Sequence, residues 1–90
     1  MATESTRDLR TAPPANVPAT ERGVRDMLTR ANRDLGRIDY GKLTMDGRAQ
    51  YEQARRFGQQ AEQALKERNL VFAATLADKA ATLAAELLKR

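Results

Sequence analysis

The sequence predicts an all-α fold: a three-helix bundle, with a short first helix and an antiparallel helical hairpin, after a disordered N-terminal leader. Two observations predict it. Ala is the most frequent of the 90 residues and Arg the second, and both are strong helix formers. Apolar residues also recur at alternating steps of three and four along three stretches, which is the spacing of one helix face. Only 4% of the residues are aromatic, so a thick aromatic core cannot form.

Residues 1–18 form a segment of their own. They contain Pro13, Pro14 and Pro18, several Thr and Ala, and almost no large apolar side chain, and their charges cancel. Such a segment cannot bury enough apolar surface to fold, and it is typical of a partly polyproline-like chain. We expect a flexible leader, which either has no role or holds the folded part away from an anchor.

The first helix is predicted over residues 19–36. Thr20 is suited to cap its start, and Gly36 is expected to end it. Its apolar residues step by 4, 3, 4 and 3 and form a seam: Val24, Leu28, Ala31, Leu35 and Ile38. A loop follows over residues 36–44. Because bulky apolar groups are costly to leave in water, we expect three of them to fold back on the core: Ile38, Tyr40 and Leu43.

The second helix is predicted over residues 45–68, with Thr44 as its N-cap. Its seam again runs in steps of three and four: Tyr51, Ala54, Gly58, Ala61, Leu65 and Arg68. Gly58 in mid-helix costs about 1 kcal/mol relative to Ala, and we expect close approach of a neighbouring helix to offset that cost. Asn69 is the predicted break, because Asn tolerates the left-handed backbone conformation.

The third helix is predicted over residues 70–89. Of the 21 residues from 70 to 90, 14 are apolar, which is more surface than one neighbouring helix covers. This helix is therefore expected to be central, either between the other two or against a partner. The tight link at Arg68 and Asn69 predicts that the second and third helices form an antiparallel hairpin.

Catalysis is not expected from this composition. The chain contains no His, Cys or Trp, which excludes Cys/His zinc sites, His-dependent nucleophiles and disulfides. Five acidic residues precede a basic residue by four positions, which is typical of a solvated helix face. The five glycines are scattered and match no phosphate-binding loop. We therefore expect no enzyme activity, no cofactor and no metal.

Nucleic-acid binding is a weaker interpretation of the charge. The net charge is +4 and the pI about 10, which favours polyanionic partners. A nucleic-acid footprint, however, concentrates basic residues on one face. On the first helix, Glu21, Asp26 and Asp34 are interspersed among five arginines: Arg22, Arg25, Arg30, Arg33 and Arg37. Nucleic acid is therefore an unlikely partner from the sequence.

The hairpin resembles one tetratricopeptide-type unit over residues 57–87. A bulky residue, the small residues and the turn stand where that family places them: Phe57, Ala61, Asn69, Leu70, Ala73 and Ala80. Arg68 takes the place of the family's turn glycine, Ala77 that of an aromatic residue, and the closing proline is missing. The resemblance implies a role in protein binding or assembly, with the first helix as a cap or with several copies stacked.

The segments 65–73 and 76–80 are also similar to the tails of small bacterial envelope proteins, in which a Pro/Thr/Ala-rich tether precedes a helical hairpin. This resemblance implies a tethered protein of the cell envelope, although no lipid-attachment Cys is present. Because the N-terminal residues contain no apolar signal core, we expect a cytoplasmic protein. If Met1 and Ala2 replace a removed signal, we expect a periplasmic or envelope-bound one. No run of about 18 apolar residues occurs, so no transmembrane segment is expected.

The predicted function is a non-catalytic helical protein–protein interaction or assembly module. Its predicted surface combines apolar residues of the third helix with the edge of the first: Val24, Leu28, Leu35, Leu70, Phe72, Leu76, Leu83 and Leu87. The other interpretation of these residues is a purely intramolecular core. Two alternative functions stay open: a self-assembling structural subunit (a homo-oligomer), and a basic nucleic-acid-associated bundle.

Overall fold

The computed structural model describes residues 19–89. They form α1 over Glu21–Gly36, a 3₁₀ turn over Tyr40–Lys42, α2 over Met45–Lys66 and α3 over Leu70–Lys89. This range contains no β-strand, and none of its helices is long and apolar enough to cross a membrane. The prediction of an all-α three-helix bundle is confirmed. The leader predicted over residues 1–18 lies outside the described residues.

Side-chain hydrogen bonds determine where α1 and α2 begin. Thr20 Oγ1 accepts from the backbone N–H of Gly23 at 3.0 Å, and Thr44 Oγ1 accepts from that of Gly47 at 3.1 Å. Both threonines have an extended backbone, so each caps its helix from outside the first turn. The predicted capping roles of both residues are confirmed. Because the cap stands outside the helix, α1 begins two residues after the predicted residue 19.

The turn between α2 and α3 is a Schellman motif centred on Arg68. The φ of Arg68 is 64°, the left-handed region. The N–H of Asn69 donates to the carbonyl of Ala64 at 2.9 Å, and the N–H of Arg68 donates to that of Leu65 at 3.0 Å. The prediction that Asn69 adopts the left-handed conformation is therefore wrong, because Arg68 does. For the same reason α2 ends at Lys66, before the predicted residue 68.

Asn69 acts as the N-cap of α3. Its Oδ1 accepts a hydrogen bond from the backbone N–H of Phe72 at 3.3 Å, and its carbonyl accepts one from Ala73 at 2.9 Å. The side chain thus satisfies a donor that the first turn of a helix leaves without an internal partner. A capping residue is typically extended, so the reversal of the chain falls to the residue before it.

α3 is the central helix of the bundle, as predicted. It packs against both α1 and α2, whereas α1 and α2 touch each other little. Val24 near the start of α1 clusters with Ala73 near the start of α3, so these two helices run parallel. Ala54 of α2 clusters with Ala84 near the end of α3, so α2 runs antiparallel to α3. The bundle is up-down-up, and α1 and α2 are its outer helices.

α1 and α3 pack in a constant register. The core clusters join residues that are 49 positions apart: Val24 with Ala73, Ala31 with Ala80 and Leu35 with Ala84. α1 supplies mostly large side chains to this contact, and α3 supplies a row of alanines that is 0% exposed: Ala73, Ala77, Ala80 and Ala84. Small side chains on one helix let the larger ones of its neighbour interdigitate without voids.

Gly58 does not mark a close approach between helices. It is half-buried, and a Cβ built on it meets one side-chain atom, Leu28 Cδ2, at 3.9 Å, which is ordinary van der Waals contact. The expectation that tight packing requires glycine here is therefore wrong. Ala54 and Ala61, on the same seam, are 1% and 0% exposed and form the close contact of α2 with its neighbours.

Arg48 ties the loop between α1 and α2 to the body of the bundle. Its Nε donates to the carbonyl of Tyr40 at 3.2 Å, and its Nη2 donates to that of Gly41 at 2.9 Å. The guanidinium lies 5.4 Å from the centroid of the Tyr40 ring. The Tyr40 ring in turn meets Tyr51 edge-on, with centroids 5.1 Å apart. The loop therefore has a defined conformation.

The three bulky loop residues differ in how far they fold back. Ile38 is half-buried and packs against the cluster that contains Leu35. Leu43 is half-buried beside Gly47, where its Cβ and Cδ2 occupy the space that a side chain would need. Tyr40 keeps 39% of its surface exposed because it packs on Tyr51 at the rim instead of entering the core.

Candidate interaction surface

The structure places five of the eight predicted surface residues in the bundle core. Each is at most 6% exposed: Val24, Leu28, Leu35, Leu76 and Leu87. Val24, Leu28 and Leu76 belong to one cluster with alanines of α2 and α3. Leu35 packs with Ala54 and Ala84. In the described chain these side chains make intramolecular contacts.

The other three predicted residues keep some surface. Leu70 and Leu83 are half-buried and pack against the edges of two core clusters. Phe72 is 54% exposed. The eight residues therefore do not form one continuous surface, because most of them point into the bundle and the rest lie at different levels of α3.

An apolar patch lies at the first turn of α3. Val71 is 71% exposed and its neighbour Phe72 is 54% exposed; we call these two residues the end patch. The N-cap bond from Asn69 holds the backbone N–H of Phe72, and Thr75 Oγ1 donates to the carbonyl of Val71 at 3.2 Å. The end patch therefore stands on a hydrogen-bonded helical turn with little freedom to rearrange.

Val71 is not among the predicted surface residues, although its position in the sequence carries a signal. Val71 precedes Ala73 by two residues, which places it about 160° around the helix from the alanine row. Phe72 is about 100° away from the same row. The angle of each apolar residue relative to that row, together with its distance from the end of the helix, separates the exposed residues of α3 from the buried ones.

The start of α1 lies at the same end of the bundle as the α2–α3 turn. Glu21 accepts from Arg25 Nε and Nη2 at 3.1 and 2.9 Å, and Arg68 Nη1 lies 3.6 Å from Glu21 Oε1. All three side chains are at least 46% exposed, so these ion pairs add little stability. Charges of both signs therefore border this end, beside the end patch.

Other exposed apolar surface is sparse in the described range. Met45, at the first residue of α2, is 86% exposed and lies at the opposite end of the bundle from the end patch. Tyr40, at that same opposite end, is partly covered by Tyr51 and Arg48. Met45 is a single side chain, whereas the end patch joins two adjacent ones.

A groove of about 560 Å³ runs between the outer helices α1 and α2. Leu28 and Leu65 contribute to its lining, but each is at most 7% exposed, so they offer little apolar area. Charged side chains of both signs border it: Glu21, Arg25, Glu62, Lys66 and Arg68. The groove therefore presents neither a broad apolar floor nor one sign of charge.

A second groove of about 370 Å³ lies between α2 and α3. Phe57 and Leu83 line it, and Lys79 Nζ lies 5.6 Å from the centroid of the Phe57 ring. The lysine covers part of the aromatic face through a cation–π contact. Over residues 19–89, no three residues of the His, Cys, Asp and Glu types lie together as metal ligands would.

Comparison with protein-family models, with curated proteins and with solved structures finds no match to this chain.

Proposed function

We propose that this chain is a non-catalytic helical protein–protein interaction or assembly module, and that the end patch is where a partner protein docks. The observation that carries the proposal is the exposure of Val71 and Phe72. Adjacent large apolar side chains that face solvent on a well-ordered turn favour an interaction site. The resemblance of the hairpin to tetratricopeptide-type units supports the same class of function.

Phe72 has the properties of an interface anchor. Aromatic side chains dominate the binding energy of many interfaces because they bury a large area and lose little conformational freedom. Full burial of a side chain of this size is worth about 1.5–3 kcal/mol, and because Phe72 is 54% exposed, a partner that covers it would gain about half of that. Arg68 and Glu67 lie in the adjoining turn and are exposed, so they can form the polar rim of the same contact.

Site-specific photocrosslinking tests the proposal directly. A photoreactive phenylalanine analogue is placed at position 72 in one variant and at position 45 in a matched control, since Met45 is also exposed but lies at the other end. In cells of the source organism we expect a discrete protein adduct from position 72 and none from position 45. Equal adducts from the two positions, or none from position 72, would contradict the proposal.

Self-assembly is the alternative that the same surface allows. Size-exclusion chromatography with light scattering separates the two functions. A partner-binding module should elute near the 10.0 kDa of the chain on its own. A multiple of that mass that falls to one chain in a Val71→Ser, Phe72→Ser double variant, but not in Met45→Ser, would instead identify the end patch as a contact between copies.

A further inference from the structure

We propose that the outward face of α1 binds the phosphate backbone of a nucleic-acid duplex. Four exposed arginines, which we call the arginine face, lie on this side, three of them within α1 and the fourth at its C-cap: Arg22, Arg30, Arg33 and Arg37. At about 100° per residue they fall within an arc of about 80°, and at about 1.5 Å per residue they extend over about 22 Å of the helix axis. The arginine face shares no residue with the end patch, so either proposal can fail without the other.

Several acidic residues lie beside or between these arginines in the sequence of α1, but only one of them lies among the arginines on its surface. Glu21 is engaged by Arg25 at 2.9 Å and by Arg68 at 3.6 Å, and neither of these belongs to the arginine face. Asp34 is 9% exposed and turned toward the bundle. Asp26 is the acid that shares the arc. The face therefore carries four positive charges against one negative charge.

The position of α1 in the bundle favours a duplex as the ligand. α1 is an outer helix, packed mainly on α3, and its opposite side is open along its length. The major groove of B-form DNA, about 12 Å wide, admits one α-helix. A helix at the edge of a three-helix unit can lie there with its arginines directed at the flanking phosphates.

The lack of an exposed apolar side on α1 separates a duplex from a membrane, since guanidinium groups match the phosphates of both. All four cationic groups are guanidinium groups, whose planar donors match phosphate oxygens in pairs. An interfacial helix also needs an exposed apolar side that enters the lipid. The exposed large apolar residues of the described chain lie outside α1: Tyr40, Met45, Val71 and Phe72. The apolar stripe of α1 is buried against its neighbours.

Fluorescence anisotropy with a labelled DNA duplex of about 20 base pairs tests the proposal. Four phosphate contacts predict a slope of log K against log salt of about −3.6. Raising the salt from about 50 to about 200 mM should then weaken binding about 150-fold. No detectable binding at the lower salt concentration would overturn the proposal.

Paired arginine variants separate a specific face from net charge. Arg33→Gln with Arg37→Gln should halve the salt slope to about −1.8. The matched control, Arg55→Gln with Arg56→Gln, removes the same charge from exposed positions of α2 and should leave the slope near −3.6. Equal losses from the two double variants would overturn the proposal. Asp26→Asn should tighten binding, and a weaker complex would likewise contradict it.

Two competitor ligands complete the test. Vesicles with about one third anionic phospholipid probe the membrane, and poly-glutamate probes an acidic polypeptide. We expect neither to displace the duplex at an equal concentration of anionic groups. Binding to vesicles or to poly-glutamate that is tighter than binding to DNA, and that is lost in Arg33→Gln with Arg37→Gln, would assign the arginine face to that ligand and overturn the proposal.

Discussion

Replacing Gly58 with alanine should stabilise the bundle. Gly58 lies in the interior of α2, has no positive φ and is half-buried. The new Cβ would meet one neighbouring side-chain atom, Leu28 Cδ2, at 3.9 Å, so nothing has to move to accept it. The substitution therefore keeps the native packing and changes mainly the conformational cost of forming the helix.

The expected size follows from two contributions. Alanine is better than glycine in a helix interior by about 0.8–1.0 kcal/mol. The added methyl group is half-buried beside Leu28, and half of the burial value of one methylene is about 0.4 kcal/mol. The free energy of unfolding should therefore rise by about 1.2–1.4 kcal/mol. For a domain of this length each kcal/mol raises the melting temperature by about 4–8 °C.

Thermal and urea unfolding, followed by circular dichroism at 222 nm, measure the effect. Gly47→Ala is the matched control, because its Cβ would lie 3.3 Å from two atoms of Leu43 and 3.4 Å from Thr44 Oγ1. Gly47 lies in the first turn of α2, where alanine gains less over glycine than in the helix interior. Leu43 must also shift by a few tenths of an ångström to accept the new methyl group, so we expect Gly47→Ala to raise the stability less than Gly58→Ala does. The reasoning would be refuted if Gly58→Ala lowered the melting temperature, or if the two variants changed it equally.

Three further predictions concern the turn, a cap and the core. Arg68→Gly should raise the free energy of unfolding by about 0.5–1 kcal/mol, because it removes left-handed strain and gives up only an exposed contact with Glu21; a loss of stability in urea unfolding would contradict this. Thr44→Ala should cost about 1 kcal/mol through loss of the cap, whereas Thr44→Asp should keep the cap, and equal melting temperatures for the two would exclude the capping role. Ala77→Leu should cost about 1–3 kcal/mol because the site is 0% exposed, while Thr75→Leu on the exposed side of α3 should change stability by less than about 0.5 kcal/mol.

The helices and their order could be predicted from the sequence because their signals are local. Thr20 and Thr44 each precede a glycine by three residues, and both act as N-caps in the structure. The apolar content of residues 70–90 exceeds what one neighbour covers, and α3 does pack between the other two helices. Capping residues and total hydrophobicity can be identified in a sequence without knowing how the helices pack against each other.

The details that depend on the relative placement of helices could not be predicted in this way. Arg68 and Asn69 form a two-residue link, and the sequence does not show which of them reverses the chain. The answer depends on which N–H reaches the carbonyl of Ala64, and that N–H belongs to Asn69. Similarly, the reason for Gly58 depends on the distance to Leu28 on another helix.

The predicted surface shows the same limit. Leu76 and Phe72 are both large and apolar and lie one turn apart, yet their exposed fractions are 5% and 54%. Hydrophobicity selects both residues, and they lie only about 40° apart around the helix. Phe72 lies in the first turn at the end of the bundle, whereas Leu76 lies one turn further along α3 and packs within a core cluster. The same limit applies to the acidic residues of α1. Asp34 and Asp26 both count as acids in the sequence, but Asp34 is buried and Asp26 is exposed.

Because α3 offers α1 a row of four buried alanines, a single large side chain of α1 fits almost equally well beside any of them. A shift of α1 by seven residues would bring Val24 to the level of Ala80, but it would also bring Ala31 to the level of Leu87 and carry Leu35 past Lys89, the last residue of α3. The axial alignment of α1 therefore depends on where the alanine row ends, together with the loop that Arg48 anchors. Lengthening that loop should leave the present alignment in place, because the shifted alignment leaves Leu35 without a partner on α3.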